Sequence, residues 1–312
     1  MSNRTALFSR KQPGGVFTIV DMEQHPGEVF FVDSGAAKGG DTIGHGRDPD
    51  MPFLTLDYAI GRCTANQGDV IYVMPGHAET FIATNGFDAD VAGIAIIGLG
   101  WGASRPTFTF NHANAQVNVG AASVRIENLR FVTSITAVVS AVQVEGVTDA
   151  VFKNCEWYWG DTTGDDFIIS LELEAGSHRA LIEGCRFMAE PAVAGAAVAI
   201  KLTDASNNVV IRGCEFMGDY ATACVNGITA LSQGLMFLDN LVHNTDAGEP
   251  YLEVLTGTTG VIANTRGLAS GATVAANAVA DAMAHCENFV VNTAGTIAIV
   301  KGAGGSPALD AD

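Results

Sequence analysis

The chain has 312 residues, with 34 acidic against 16 basic side chains for a formal net charge of −18, and it is 48% hydrophobic but only 16% charged. A surface of that sign repels nucleic acid, and no basic patch beyond Arg4, Arg10 and Lys11 offsets it. No run approaches the roughly 18 apolar residues of a membrane span, so the composition points to one elongated domain with no nucleic-acid or membrane partner.

Residues 1–28 form an arm with neither a repeat nor a helical period. Pro13-Gly14-Gly15 interrupts it, and Val16-Phe17-Thr18-Ile19-Val20 is expected to be a strand on some other surface. The segment reads either as a loose terminus or, because its apolar residues Leu7, Phe8, Phe17, Ile19 and Val20 are expected to pack on something, as an arm that embraces a neighbouring subunit with those residues as assembly contacts. Residues 29–81 then read as a strand, a Gly/Asp-rich loop, a helix over 53–63 and a first β coil. The helix carries Leu54, Leu56, Tyr58, Ala59, Ile60 and Cys63 as its apolar residues. A solenoid leaves its terminal strand unpaired and its core open, and a short apolar helix caps both.

From Ile94 to Gly267 one octet recurs: IAIIGLGW, VRIENLRF, AVFKNCEW, ALIEGCRF, VVIRGCEF, LMFLDNLV and GVIANTRG. Measured between last residues, the intervals are 30, 26, 30, 29, 26 and 25. Within each copy β-branched and aromatic residues alternate with polar ones, the pattern of a strand buried on one face. A turn-forming residue then sits at a fixed place: Gly98, Asn128, Asn154, Gly184, Gly213, Asp239, Asn264. Each period holds three short strands and three bends, which predicts an all-β fold. It is a single-stranded parallel β-helix over residues 29–300, with about nine coils at the usual strand spacing. Leucine-rich and hexapeptide solenoids repeat at shorter or stricter intervals, and a sandwich would not place one octet at one phase of every coil. Trp101, Phe131, Trp157, Phe187 and Phe216, at the octet ends, are expected in the core. Insertions fall between copies, at 161–166 and 188–197.

Cys155, Cys185 and Cys214 share one repeat position in successive coils, so their side chains are expected to stack inside the helix as reduced thiols. Parallel Cβ vectors disfavour a disulfide between them. Cys63, Cys224 and Cys286 have no zinc-like spacing. With no CxxC and no hydrophobic leader, the chain is expected to be made in the cytoplasm. After Gly267 the period dissolves. Val274, Ala278, Ala282 and Met283 keep a helical spacing, so 268–286 is expected to cap the C-terminal end, followed by last strands at 289–291 and 296–300 and a flexible tail at 301–312.

Pro52-Phe53-x-Thr55-Leu56, Ala59-Ile60 and Gly68-Asp69-Val70-Ile71-Tyr72-Val73-x-Pro75-Gly76 together resemble the opening motif of pectin-lyase-like right-handed β-helices. With Gly76-His77-Ala78-Glu79-Thr80, the arm, and the closing Glu287-Asn288-Phe289-Val290-Val291-Asn292, roughly residues 29 to 300 resemble β-helix proteins encoded among tailed-phage structural genes. The resemblance implies right-handed winding and a virion component assembling as a homotrimer. Its expected partners are other virion proteins, such as the major capsid protein, and its expected role is capsid decoration, cement or another head-associated function.

Three tripeptides, Gly44-His45-Gly46, Gly164-Asp165-Asp166 and Asn244-Thr245-Asp246, resemble signatures of polygalacturonase-type glycosidases, but in reversed order. Asp166 and Asp246 lie 80 residues apart, about three coils or roughly 14 Å, beyond the roughly 6.5–9.5 Å of an inverting carboxylate pair. For lyase chemistry, Asp161, Asp165 and Asp166 read as a solvated loop rather than a calcium site, and Arg105 stands alone. His77, His178, His243 and His285 have no partner at catalytic or metal spacing. Catalytic residues, metal ligands and cofactors are therefore all expected to be absent. The alternative is a tail-associated spike that binds or cleaves host surface glycans, with Tyr158 or Trp159 as surface contacts.

Overall fold

The computed structural model describes residues 8–12, 15–19, 27–160, 163–191, 195–246, 249–269, 278–279, 282–286, 288–291 and 297–299. The chain winds as a parallel β-helix whose three walls are sheets of ten, ten and eight strands, so eight turns are complete on all three sides. In a representative coil, Arg125–Glu127 lies in the first sheet, Arg130–Thr133 in the second and Val142–Val144 in the third. Each strand pairs with the equivalent strand one coil before and one coil after. Ile126 sits between Ile96 and Phe152, Phe131 between Phe108 and Trp157, and Val142 between Val117 and Leu171.

Alternation decides which side chains enter the core, because successive residues of a strand face opposite sides. Phe108, Phe131, Trp157, Phe187 and Phe216 are all fully buried and stack coil on coil, with successive ring centroids 6.1, 5.1, 4.5 and 5.1 Å apart. Trp101, expected in this column, is instead 86% exposed. It precedes a short 3-10 turn, Gly102–Ser104, which lies between the strands Ala95–Gly98 and Thr107–Phe110. This insertion pushes the tryptophan outward, and Phe108 takes its place in the column.

The corner between the first and second sheets is only two residues long, and its first residue is left-handed in six successive coils. The φ values are 57° at Asn128, 52° at Asn154, 63° at Gly184, 60° at Gly213, 56° at Asp239 and 49° at Asn264. Asparagine, aspartate and glycine tolerate this region best. Each corner N–H donates to a carbonyl of the following coil, as Asn154 does to Glu183 and Gly184 to Arg212, so the ladder continues through the bend. Gly98 departs from the pattern: its φ is not positive, and a Cβ there would lie 2.3 Å from the Asn128 carbonyl oxygen.

At the N-terminal end the expected helix is shorter than 53–63, spanning Leu56–Ile60, and it buries Leu56, Ala59 and Ile60 against the core. In the arm, Phe8–Gln12 and Gly15–Ile19 form an antiparallel hairpin in register Phe8↔Ile19 to Gln12↔Gly15. Leu7 and Val20 lie outside the described residues, as do Asp161, Val274 and the tail 301–312. At the C-terminal end, the helical spacing through Ala278 and Met283 does not produce a helix. Ala278–Val279 and Met283–Cys286 are strands that extend the third and first sheets by one coil, with Gly260↔Met283 in register. Small alanine-rich side chains fit a strand row as readily as a helix face, so spacing alone misleads there. Phe289–Val291 continues the second sheet, and Ile297–Ile299 pairs with it antiparallel.

Candidate functional site

The side chains that matter most chemically gather at three places. The first is the inner corner column. Cys155, Cys185 and Cys214 are fully or almost fully buried and free. Each thiol donates to a carbonyl one coil earlier: Cys155 to Ile126, Cys185 to Phe152 and Cys214 to Ile182. Burial, reinforced by the adjacent thiols, drives Cys185 well above its ordinary value, which makes it an unreactive packing group. One coil further on, Asn240 fills the same place, accepting from the Cys214 N–H and donating to the Ile211 carbonyl.

The second is the corner after the second sheet, where insertions were expected. Here Gly164-Asp165-Asp166, Glu190, Asp219 and Asp246 follow one another on successive coils. Asp165 and Asp166 are 5% and 1% exposed. Asp166 Oδ1 accepts the Glu190 N–H at 3.2 Å, while Glu190 accepts the Gly164 N–H at 2.6 Å. Burial pushes the Asp166 carboxyl up to about 7, with the like charges of Glu190, Asp219 and Asp165 adding and the Glu190 N–H opposing. Asp219 is also raised, by burial and then by Asp246. Asn244 is buried and spent on backbone: it accepts from the Tyr220 N–H and donates to the Tyr220 carbonyl. The two carboxylate tripeptides therefore share a corner, as a column along the axis rather than a pair facing across a cleft.

Gly44-His45-Gly46 lies far from them, in the opening segment beside Val29–Val32, which is four coils from the coil of Asp166 and seven from that of Asp246, or about 19 and about 34 Å along the axis. His45 accepts from or donates to the Thr42 hydroxyl at 3.0 Å, and it lines a cavity of about 300 Å³ with Glu28, Phe30, Arg47 and Arg62.

The third is a buried polar network under the capping helix, which the sequence reading missed. His77 does have a carboxylate partner: its Nδ1 accepts the Ser34 N–H at 2.9 Å, so Nε2–H donates to Glu79 Oε1 at 2.8 Å. That same Glu79 oxygen accepts the Leu56 N–H at the start of the helix. Asp41 holds the N–H groups of Leu54 and Thr55 and the Thr55 hydroxyl, and Asp69 ties Glu28 to Thr64. His-x-Glu on one strand was the available signal, since residues two apart share a face. Each of these polar groups is spent on backbone that fixes the opening segment.

On the exterior, Arg105 is not alone: with Arg130 and Arg186 it surrounds the nearly buried Glu156 at 3.4, 2.7 and 3.5 Å. Tyr158 and Trp159 are half-buried and stack on each other at 4.2 Å. His178 accepts from the Asn207 N–H. Among the described residues no group of three or more His, Cys, Asp or Glu is arranged to hold a metal ion, and no helix is long and apolar enough to cross a membrane.

No family model matches the chain, and no curated protein matches it. Three solved structures are similar to it. A rhamnogalacturonan lyase is 13% identical over 79% of this chain and 75% of its own, with a TM-score of 0.48. An alginate lyase from Paenibacillus sp. str. FPU-7 is 14% identical over 73% and 96%, with a TM-score of 0.34. ORF18 of Geobacillus virus E2 is 14% identical over 84% and 61%, with a TM-score of 0.26.

Proposed function

We propose that the protein is a non-enzymatic structural component of a tailed-phage virion, a homotrimeric capsid-decoration or other head-associated protein made in the host cytoplasm. The virion assignment rests on the resemblance of residues 29–300 to phage β-helix proteins. The non-catalytic assignment rests on the burial of Asp165 and Asp166, the two innermost members of the acid column. A methyl-sized atom added at Gly195 would already lie 2.7 Å from Asp166 Oδ2, and one at Gly160 equally close to Asp165 Oδ2, so a sugar ring has no room beside either carboxylate. The remaining conspicuous polar groups are occupied in holding backbone. A net charge of −18 suits an outer coat, which stays soluble and does not adhere to packaged nucleic acid.

A second reading, a tail-associated spike that binds or cleaves host surface glycans, draws support from the Tyr158–Trp159 stack, because aromatic faces are what sugar rings pack on. Incubating the purified protein with host capsule or lipopolysaccharide separates the two. The structural reading expects no new reducing ends and no unsaturated products. Depolymerisation that is abolished by Asp165→Ala, Asp166→Ala or Asp246→Ala would overturn it.

A further inference from the structure

Outward-facing residues form two columns on each of the first and second sheets, and the two columns nearest their shared corner carry a matched charge pattern. On the first sheet the column runs Glu127, Lys153, Glu183, Arg212, with each residue in register with the next. On the second it runs Arg130, Glu156, Arg186, Glu215. At every one of these four coils the two columns carry opposite charge. At the next coil both turn apolar together, as Leu238 and Leu241.

Pairing within one chain accounts for the alternation along each column but not for the opposition between columns. The described ion pairs that run along the columns include Lys153–Glu183, Arg130–Glu156 and Arg186–Glu215, each at 2.7 Å. Among the described residues none crosses the corner from one column to the other. Further from the corner each sheet carries a mostly apolar column: Val151, Leu181, Val210 and Met236 follow Arg125 on the first, and Tyr158, Met188, Met217, His243 and Leu268 run along the second, interrupted only by the histidine. The third sheet presents Gln143, Glu172, Lys201, Asn226 and Glu253, a polar row suited to solvent.

We infer that copies of this chain pack the first sheet of one against the second sheet of the next, with the two-residue corner toward a rotation axis parallel to the solenoid. This inference rests on the trimer reading above and specifies its interface. Rotation about such an axis keeps all copies at one height, so each coil meets the same coil of its neighbour. Glu127 then faces Arg130, Lys153 faces Glu156, Glu183 faces Arg186, Arg212 faces Glu215, and Leu238 meets Leu241. Of the three corners this one alone is two residues long in every coil from Arg125 onward, and the 3-10 turn Gly102–Ser104 lies one coil before the charged columns begin.

The test uses the full chain with Cys286→Ser, which removes the exposed thiol. Leu238→Cys on one affinity tag and Leu241→Cys on another are co-expressed and oxidised. The interface predicts a disulfide dimer carrying both tags and none from either variant alone. A dimer of Leu238→Cys with itself, or a trimer that yields no mixed dimer, overturns the interface while leaving the trimer standing. A monomer mass by light scattering overturns the trimer reading and the interface with it. As a second measurement, Arg186→Glu should raise the concentration at which trimers dissociate about tenfold, and adding Glu183→Arg should restore it. If both side chains acted only within their own columns, the double variant would be worse than either single one.

Discussion

Asp166→Asn tests whether the acid corner is a strained structural feature of the coil. In an unfolded chain the carboxyl ionises near 3.9, whereas burial beside Glu190, Asp219 and Asp165 holds it up at about 7 in the fold. A raised carboxyl favours the protonated form, so the fold is most stable below the unfolded value and loses stability as pH rises toward 7. The total loss is on the order of 4 kcal/mol, at roughly 1.4 kcal/mol per pH unit. Asparagine keeps an acceptor for the Glu190 N–H and cannot ionise. Urea denaturation from pH 4 to 8.5 should therefore find the variant and the parent nearly equal at pH 4. The variant should then gain steadily, to about 4 kcal/mol by pH 8. A difference that does not change with pH, or a variant less stable throughout, would refute the reasoning.

Cys185→Arg places an unpaired charge in the middle of the inner column and should cost on the order of 4 kcal/mol or more, read as a large fall in melting temperature; an unchanged Tm would put that side chain outside the core. Asn154→Ala forces a Cβ-bearing residue without a local hydrogen bond into φ 52° and should cost about 1 kcal/mol in urea titration, whereas Asn154→Gly should cost much less. Removal of residues 1–28 should reduce incorporation into particles and lower the trimer fraction by light scattering; equal mass and equal incorporation with and without the arm would count against its role in assembly.

What was legible in the sequence is what the coils repeat. Asn128 to Asn264 sit one per coil at the same bend, and Phe131 to Phe216 stack inside it, because every coil must solve one local steric problem and fill one slice of core. The bend before the first sheet repeats just as strictly, with φ near 60° at Ser123, Asp149, Arg179 and Asn208, yet those residue types share no chemistry and left no visible pattern. Trp101 misled because counting from the octet assumed no insertion between its strand and the next. Partnerships that join distant segments were also hidden. Glu79 reaches a helix start 23 residues away, and Asp166, Asp219 and Asp246 come together only because the strand register stacks one corner of successive coils. The opposition of charge across the Glu127–Arg130 corner is written in the octets themselves. It gains meaning once the register assigns the two residues to different faces.

Immunogold labelling of intact phage particles tests the central claim most directly. With antibody against the full chain, a structural head protein predicts gold distributed over the capsids of infectious particles. Gold confined to the tail tip would contradict that placement in favour of a spike, and gold absent from purified particles would contradict the virion assignment itself.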